Sequence, residues 1–183
     1  MVGQADWWID GHLDLAYIAL EGKDILAEDP ATDADGDAAY CVSLPTLGRG
    51  GVRMAFTTIF TEPGGDGPAA YPSPGDRDEA HAAGLRQLDV YDRLECEARV
   101  KRVRQAKELL GVEDPTGALV GTRGEWKGHL AALLLMEGAD PIRNPDEVEW
   151  WVERGLRMIG LTWASGTRYA GGNACDHGLT DEG

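Results

Sequence analysis

Cysteine is scarce in this chain of 183 residues. The three present, Cys41, Cys96 and Cys175, are odd in number and show no CxxC spacing. That excludes a disulfide framework, fits a reducing compartment, and leaves no thiolate zinc site to expect. Basic residues are also few: 17 Lys+Arg stand against 32 Asp+Glu, a formal net charge of −15. So acidic a chain repels phosphate backbones, which argues against a nucleic-acid partner. Acidity favours solubility and is common on proteins that handle cations, so charge alone does not choose between those. No apolar run approaches the ~18 residues that a membrane span needs. The opening MVGQADWWIDGHLDL lacks a basic segment followed by an apolar one, so no secretory signal is read there. The expectation is a soluble, cytoplasmic protein without a membrane partner. Internal repeats and low-complexity tracts are absent too.

What remains is globular in composition. Hydrophobic residues at 43% and charged residues at 27% argue against wholesale disorder. The length suits one domain, or part of a larger one. Gly and Pro gather at 29–37, 62–76 and 164–183, each set within a rhythm of short apolar runs and helical stretches. These segments read as loops rather than domain linkers.

Four apolar runs read as buried strands: Trp7–Asp10, Gly51–Phe60, Leu130–Glu137 and Leu156–Trp163. The third is rich in Ala and Leu and ambiguous by periodicity alone, but Pro141 soon after it favours a strand. Between them lie three helical stretches: Leu13–Leu20, Asp76–Leu110 and Asn144–Gly155. The second carries Leu85, Leu88, Tyr91, Leu94 and Ala98 at helical steps, with Asp76 as its cap and Gly111 as its stop. The third opens with Asn144 and Pro145 and ends at glycine. Strands and helices alternate, which predicts an α/β fold with a parallel sheet. Four strands are half of an eight-stranded (β/α)8 barrel, and such barrels run ~250 residues. The expectation is therefore the first four βα units of a TIM barrel. Residues 1–183 would form the N-terminal half of a single barrel domain, with no separate second domain.

Chemistry concentrates at two strand ends. His12 and Asp14 follow the first apolar run at once, in Asp10-Gly11-His12-Leu13-Asp14. Active sites of parallel α/β folds are built at the C-terminal ends of strands. Residues i and i+2 of extended backbone project to one side, so an imidazole and a carboxylate can reach one cation together. The plainer reading of a bare HxD is a helix N-terminus, with Asp14 serving the helix dipole. Glu137 ends LAALLLME, where a carboxylate after seven apolar residues must be paired, protonated or bound to a metal. Alone it also reads as a strand-end carboxylate facing loop water. The two features support each other because both occupy the same end of one sheet. Trp163 ends the fourth strand at the same rim, where it would wall a substrate pocket or pack against the core. Asn173 follows in a glycine-rich loop and reads as turn chemistry.

Other candidates fail. Asp33–Asp37 has glycine at its fourth position and lacks the glutamate of an EF-hand. Gly48–Gly51 precedes a strand instead of following one, so it is no dinucleotide fingerprint. The basic cluster Arg99–Lys107 reads as a solvated helix face. His81 and His129 read as structural, His177 lies in the terminal loop, and no Ser-His-Asp or Cys-His arrangement is readable.

Taken together, HxD, the strand-end Glu and the LTW run resemble the membrane (renal) dipeptidase family, peptidase family M19. The matching segments are IDGHLDLAYIAL, SLPTLGRGGVRMAFTTIFTEP, LLLMEGADPI, VERGLRMIGLTWASGTRYAGGN and GLTDEG, in family order. The resemblance implies a (β/α)8 barrel with a two-zinc centre that hydrolyses dipeptides, many family members accepting a C-terminal D-residue. It implies that His12 and Asp14 bind one metal and that Glu137 bridges two. A water activated between the metals would then attack the amide carbon.

Two departures qualify this. Many members have His where this chain has Trp163. The family's fifth-strand His, a second His, a substrate-binding Arg and a further acidic group have no counterpart up to Gly183. The expectation is that two zinc ions belong to a full-length parent, and that this chain ligates at most one of them well. Alone it would show little or no dipeptidase activity, and its open strand edges would invite pairing with a second copy. Two other readings stand beside this one. The first is an amidohydrolase-type barrel hydrolase, which usually shows HxH rather than HxD. The second is a non-catalytic barrel remnant acting as a binding protein.

Overall fold

The computed structural model describes residues 8–30, 40, 42–73, 75–109 and 129–183. Trp7, Asp33–Asp37, Cys41, Leu110 and Gly111 lie outside these. In chain order the elements are β1 (Trp8–Leu13), α1 (Leu15–Leu20), α2 (Leu44–Arg49), β2 (Val52–Phe60), β3 (Glu62–Pro63), β4 (Ala70–Tyr71) and α3 (Arg77–Cys96). There follow β5 (Val100–Arg102), α4 (Ala106–Leu109), β6 (Leu130–Glu137), a 3-10 turn (Pro145–Glu147), α5 (Val148–Glu153) and β7 (Leu156–Gly160).

The predicted parallel α/β sheet is present. β1 pairs with β2 and β2 with β6, all parallel. The other edge of β6 is shared: β5 pairs with Leu130–Ala132 and β7 with Leu134–Glu137. Parallel strands bring their C-terminal ends to one rim, so the ends of β1, β2 and β6 lie together. Register is tight between the central pair, with Thr58 opposite Leu135 and Phe60 opposite Glu137.

Side chains alternate across the sheet. On one face Ala55, Thr57 and Ile59 of β2 and Ala132, Leu134 and Met136 of β6 are fully buried. They join Leu15, Leu88, Tyr91, Leu94 and Trp151 in the main core. The opposite face carries Met54, Phe56, Leu133 and Leu135, which are only partly buried, and ends in Glu137. β6 is apolar on both faces, as buried parallel strands are.

Local signals explain several element boundaries. Asp76 caps α3 by accepting from the Glu79 N–H at 3.2 Å, and Asp78 and Glu79 sit in its first turn. Its buried stripe runs Ala80, Ala83, Gly84, Gln87, Leu88, Tyr91 and Leu94, at helical spacing. Asn144 accepts from the Asp146 N–H at 3.0 Å and starts the turn that leads into α5. Ser43 and Thr46 form a reciprocal capping box that starts α2, a helix not expected from hydrophobic pattern.

The long helix expected over Asp76–Leu110 is corrected. α3 ends at Cys96, and Ala98 takes a left-handed φ of 53° that breaks the helix. The chain then reverses into β5, where Val100 and Arg102 are buried and Lys101 is exposed. Burying Val100 and Val103 against the sheet outweighs the helical periodicity that Leu94 and Ala98 continue. Arg99, Lys101, Arg102 and Arg104 therefore do not lie on a helix face, although Arg99 and Lys101 are exposed. Arg102 is buried and paired with Asp92 and Glu95, each at 2.6 Å. Between 62 and 76 the expected loop contains the small β3–β4 pair. The first strand runs further than expected, to Leu13, and the last ends earlier, at Gly160.

Candidate metal centre

Three predicted residues from distant parts of the chain converge. Single donor atoms of His12, Asp14 and Glu137 all lie within 4.8 Å of one another. His12 Nε2 is 3.5 Å from Asp14 Oδ1 and 3.3 Å from Glu137 Oε2. His12 lies near the end of β1, Asp14 directly after it, and Glu137 at the last position of β6. β2 separates the two outer strands, so only the parallel register brings these ends together. His12 and Asp14 are partly open to solvent, with side chains 45% and 39% exposed, whereas Glu137 is 25% exposed. Burial pushes the Glu137 carboxyl above its ordinary value; the Asp14 carboxylate adds to this, and His12 opposes it.

Local contacts fix the chain around each of the three residues. The His12 backbone N–H donates to Asp10 Oδ1 at 2.9 Å. Asp14 stands at the N-cap position of α1, yet its side chain makes no capping hydrogen bond. Instead its Oδ1 accepts from the hydroxyl of Thr58 on β2. Thr58 is fully buried. After Glu137 the chain turns sharply through Gly138, whose φ is 81°, a conformation that favours glycine. The Gly138 N–H then donates to the Gly160 carbonyl at 3.1 Å, which ties the turn to the end of β7.

An aromatic wall lies beside these groups. Phe60, opposite Glu137 in register, packs its ring 5.2 Å from Tyr17 and 5.9 Å from Trp163. Trp163 is 38% exposed. Asn173 and His177 are exposed in the terminal loop, and His177 does not join the cluster. His81 bonds the Pro141 carbonyl at 2.8 Å and packs against Trp151, a structural placement.

The donor set suits a divalent cation. One imidazole nitrogen and two carboxylates match the ligands of borderline-hard cations such as zinc. Without a cation, Asp14 and Glu137 bring two negative charges to one spot, with a single histidine between them.

A profile of the membrane dipeptidase family (peptidase family M19) matches residues 2–183. The chain belongs to that family. Solved structures with the same fold include a dipeptidase AC described as an M19 metallopeptidase, at 22% identity and a TM-score of 0.62. Another is a metallopeptidase from Rhodobacter sphaeroides, liganded with a phosphinate mimic of the dipeptide L-Ala-D-Ala, at 22% identity and 0.63. A third is the probable dipeptidase PvdM from Pseudomonas aeruginosa, at 19% and 0.60. They match 90%, 90% and 91% of this chain, which spans 45%, 48% and 37% of theirs. No curated protein sequence matches the chain at a significant level. Among the described residues, no helix is long and apolar enough to cross a membrane.

Sequence reasoning missed Thr58, and it took Tyr91 only as part of a core stripe. A tyrosine in an aliphatic stripe was the available signal, because a buried phenol needs a partner. Phe60 carried no signal, since its place opposite Glu137 depends on strand register, and Tyr17 packs against it only in the folded chain.

Proposed function

We propose that this chain is the N-terminal part of a zinc-dependent dipeptidase, with His12, Asp14 and Glu137 as ligands. The carrying observation is the convergence of these three side chains at the rim of a parallel sheet, in a chain of the M19 family. A bound cation would supply Lewis-acid polarisation of the scissile carbonyl and a water acidic enough to ionise near neutral pH. The chain's own residues would then have distinct tasks. His12, Asp14 and Glu137 would together hold the cation. Glu137 has a second oxygen free to face a neighbouring cation in a longer protein. Trp163, Phe60 and Tyr17 present an apolar wall against which a dipeptide side chain can rest.

The half-barrel reading is part of the same proposal. Two observations support it: among the described residues β1 and β7 each pair on one side only, and the Glu137-bearing face, apart from the buried Thr58, is apolar and only partly buried. The chain also spans under half of each of the three structures named above. The two-zinc centre, the cleavage of dipeptides ending in a D-residue and the cytoplasmic location are proposed for the complete protein. The ligand mimic seen in the Rhodobacter sphaeroides structure supports the substrate class.

Zinc titration of the 183-residue chain tests this reading. About one equivalent should bind, and His12→Ala and Glu137→Ala should each abolish tight binding. A longer protein that continues the barrel should hydrolyse L-Ala-D-Ala, whereas this chain alone should show little or no turnover. A chain that binds no zinc would favour the non-catalytic remnant, and equal binding by His12→Ala would place the metal elsewhere.

A further inference from the structure

Asp14 occupies the N-cap of α1 but leaves its helix uncapped. Aspartate at that position ordinarily turns back to accept from the second or third N–H of its own helix. Here the second N–H, that of Ala16, donates to the phenol oxygen of Tyr91 at 3.2 Å. Tyr91 is fully buried on α3, 75 residues further along the chain. Its own hydroxyl donates to the Thr58 carbonyl at 2.8 Å. One phenol therefore takes the N–H that Asp14 would have satisfied, and at the same time pins the backbone of β2.

Thr58 completes the arrangement. Its buried hydroxyl has one proton and two acceptors in reach: the Asp14 carboxylate, at short range, and the Leu13 carbonyl at 3.4 Å. The charged acceptor wins, because a hydrogen bond to a carboxylate is about twice as strong as one between neutral groups. The Thr58 backbone cannot drift, since β2 is paired on both sides, with β1 and with β6.

We propose that Tyr91 and Thr58 are positioning residues that turn Asp14 from a helix cap into a metal ligand, Tyr91 by occupying the cap and Thr58 by tethering the carboxylate toward His12 and Glu137. The proposal rests on the metal-site reading above. It assigns a functional role to Thr58, which reaches the candidate site through Asp14, and to Tyr91, which reaches it through the Ala16 N–H and the Thr58 backbone.

The test is zinc affinity of the 183-residue chain, measured by competition with a chromophoric chelator, together with thermal melting of the metal-free protein. Loss of a group that orients a metal ligand typically costs 10–100-fold in affinity. Thr58→Val should therefore weaken zinc binding by about 10-fold or more, and Thr58→Ser, which keeps the donor, should stay within about 3-fold of wild type. Tyr91→Phe keeps the buried ring and frees the Ala16 N–H for Asp14. It should weaken binding by a similar factor, about 10-fold. It also provides a second route to the answer should Thr58→Val fail to fold. Wild-type affinity in a folded Thr58→Val or Tyr91→Phe chain overturns the positioning role. Equal losses in Thr58→Ser and Thr58→Val overturn it as well. A wild-type chain that binds no zinc overturns the metal-site reading itself, and the positioning role falls with it.

Discussion

Asp140→Ala should cost this protein a large part of its stability, although Asp140 touches none of the three donor residues. Asp140 is 5% exposed. Its Oδ2 accepts from the Tyr71 hydroxyl at 2.6 Å, and its Oδ1 from the Arg168 backbone N–H at 3.1 Å. The Arg168 Nε lies 3.6 Å from the same oxygen, on a side chain 9% exposed. The other guanidinium nitrogens donate to the carbonyls of Asp140, Ile142 and Arg143. Carbonyls satisfy donors but carry no net charge. Removing the carboxylate therefore leaves a buried cation without a counter-ion and a buried phenol without an acceptor. Breaking a buried ion pair from one side costs about 3–5 kcal/mol. The orphaned phenol belongs to the same network, so its loss is not added in full. At a urea m-value of about 2 kcal/mol/M, a loss of about 4 kcal/mol lowers the unfolding midpoint by about 2 M. Tryptophan fluorescence in urea reads this shift. Asp140→Ala/Arg168→Met removes both charges, and should recover part of the loss because no uncompensated ion remains. The reasoning is refuted if Asp140→Ala costs under about 1 kcal/mol. It is also refuted if the double variant is no more stable than the single one. This network matters to the candidate site because it clamps the segment after Glu137 to the loop that carries Trp163.

Two further substitutions probe other parts of the fold. Gly84→Ala should lower the melting temperature. Helix propensity favours alanine by about 1 kcal/mol, but the added Cβ would sit 2.7 Å from Pro141 Cβ and 3.3 Å from Trp151. A proline ring cannot rotate aside, and overpacking costs about 1–3 kcal/mol; a higher melting temperature would show that α3 shifts freely. Glu95 governs an acid-sensitive window. Burial opposes its ionisation, but hydrogen bonds from Arg104 and Arg102 outweigh this and hold the carboxyl down at about 2, against an ordinary 4.5. A depressed folded-state value contributes stability that is complete above the unfolded value and lost as pH falls toward the folded one. The stability advantage of wild type over Glu95→Gln should therefore be constant above about pH 5 and shrink between pH 4.5 and 2. Parallel acid-unfolding profiles for the two proteins would contradict the assignment.

Local chemistry was legible before any tertiary structure. The run LAALLLME reads as a buried strand and is one, with the same ends. Asp76 and Asn144 read as caps and act as caps. Hydrophobic periodicity misled where two patterns overlapped. The helical stripe through Leu94 and Ala98 continues into Val100–Arg102, whose alternating burial belongs to a strand, and only pairing with β6 decides between them.

The candidate site divides along the same line. Residue types and spacing offered His12, Asp14 and Glu137 as candidates beside plainer readings, a helix N-terminus for the HxD pair and a solvated strand end for Glu137, and the resemblance to a known family chose between them. The sequence could not say that Asp14 would forsake its own helix. That choice depends on a phenol 75 residues away reaching the Ala16 N–H, and on Thr58 standing beside Asp14 on the next strand. Strand pitch and alternation are local properties of the chain, written into neighbouring residues. Which hydroxyl meets which carboxylate is a product of register and packing across the sheet, and that is set only when distant segments come together.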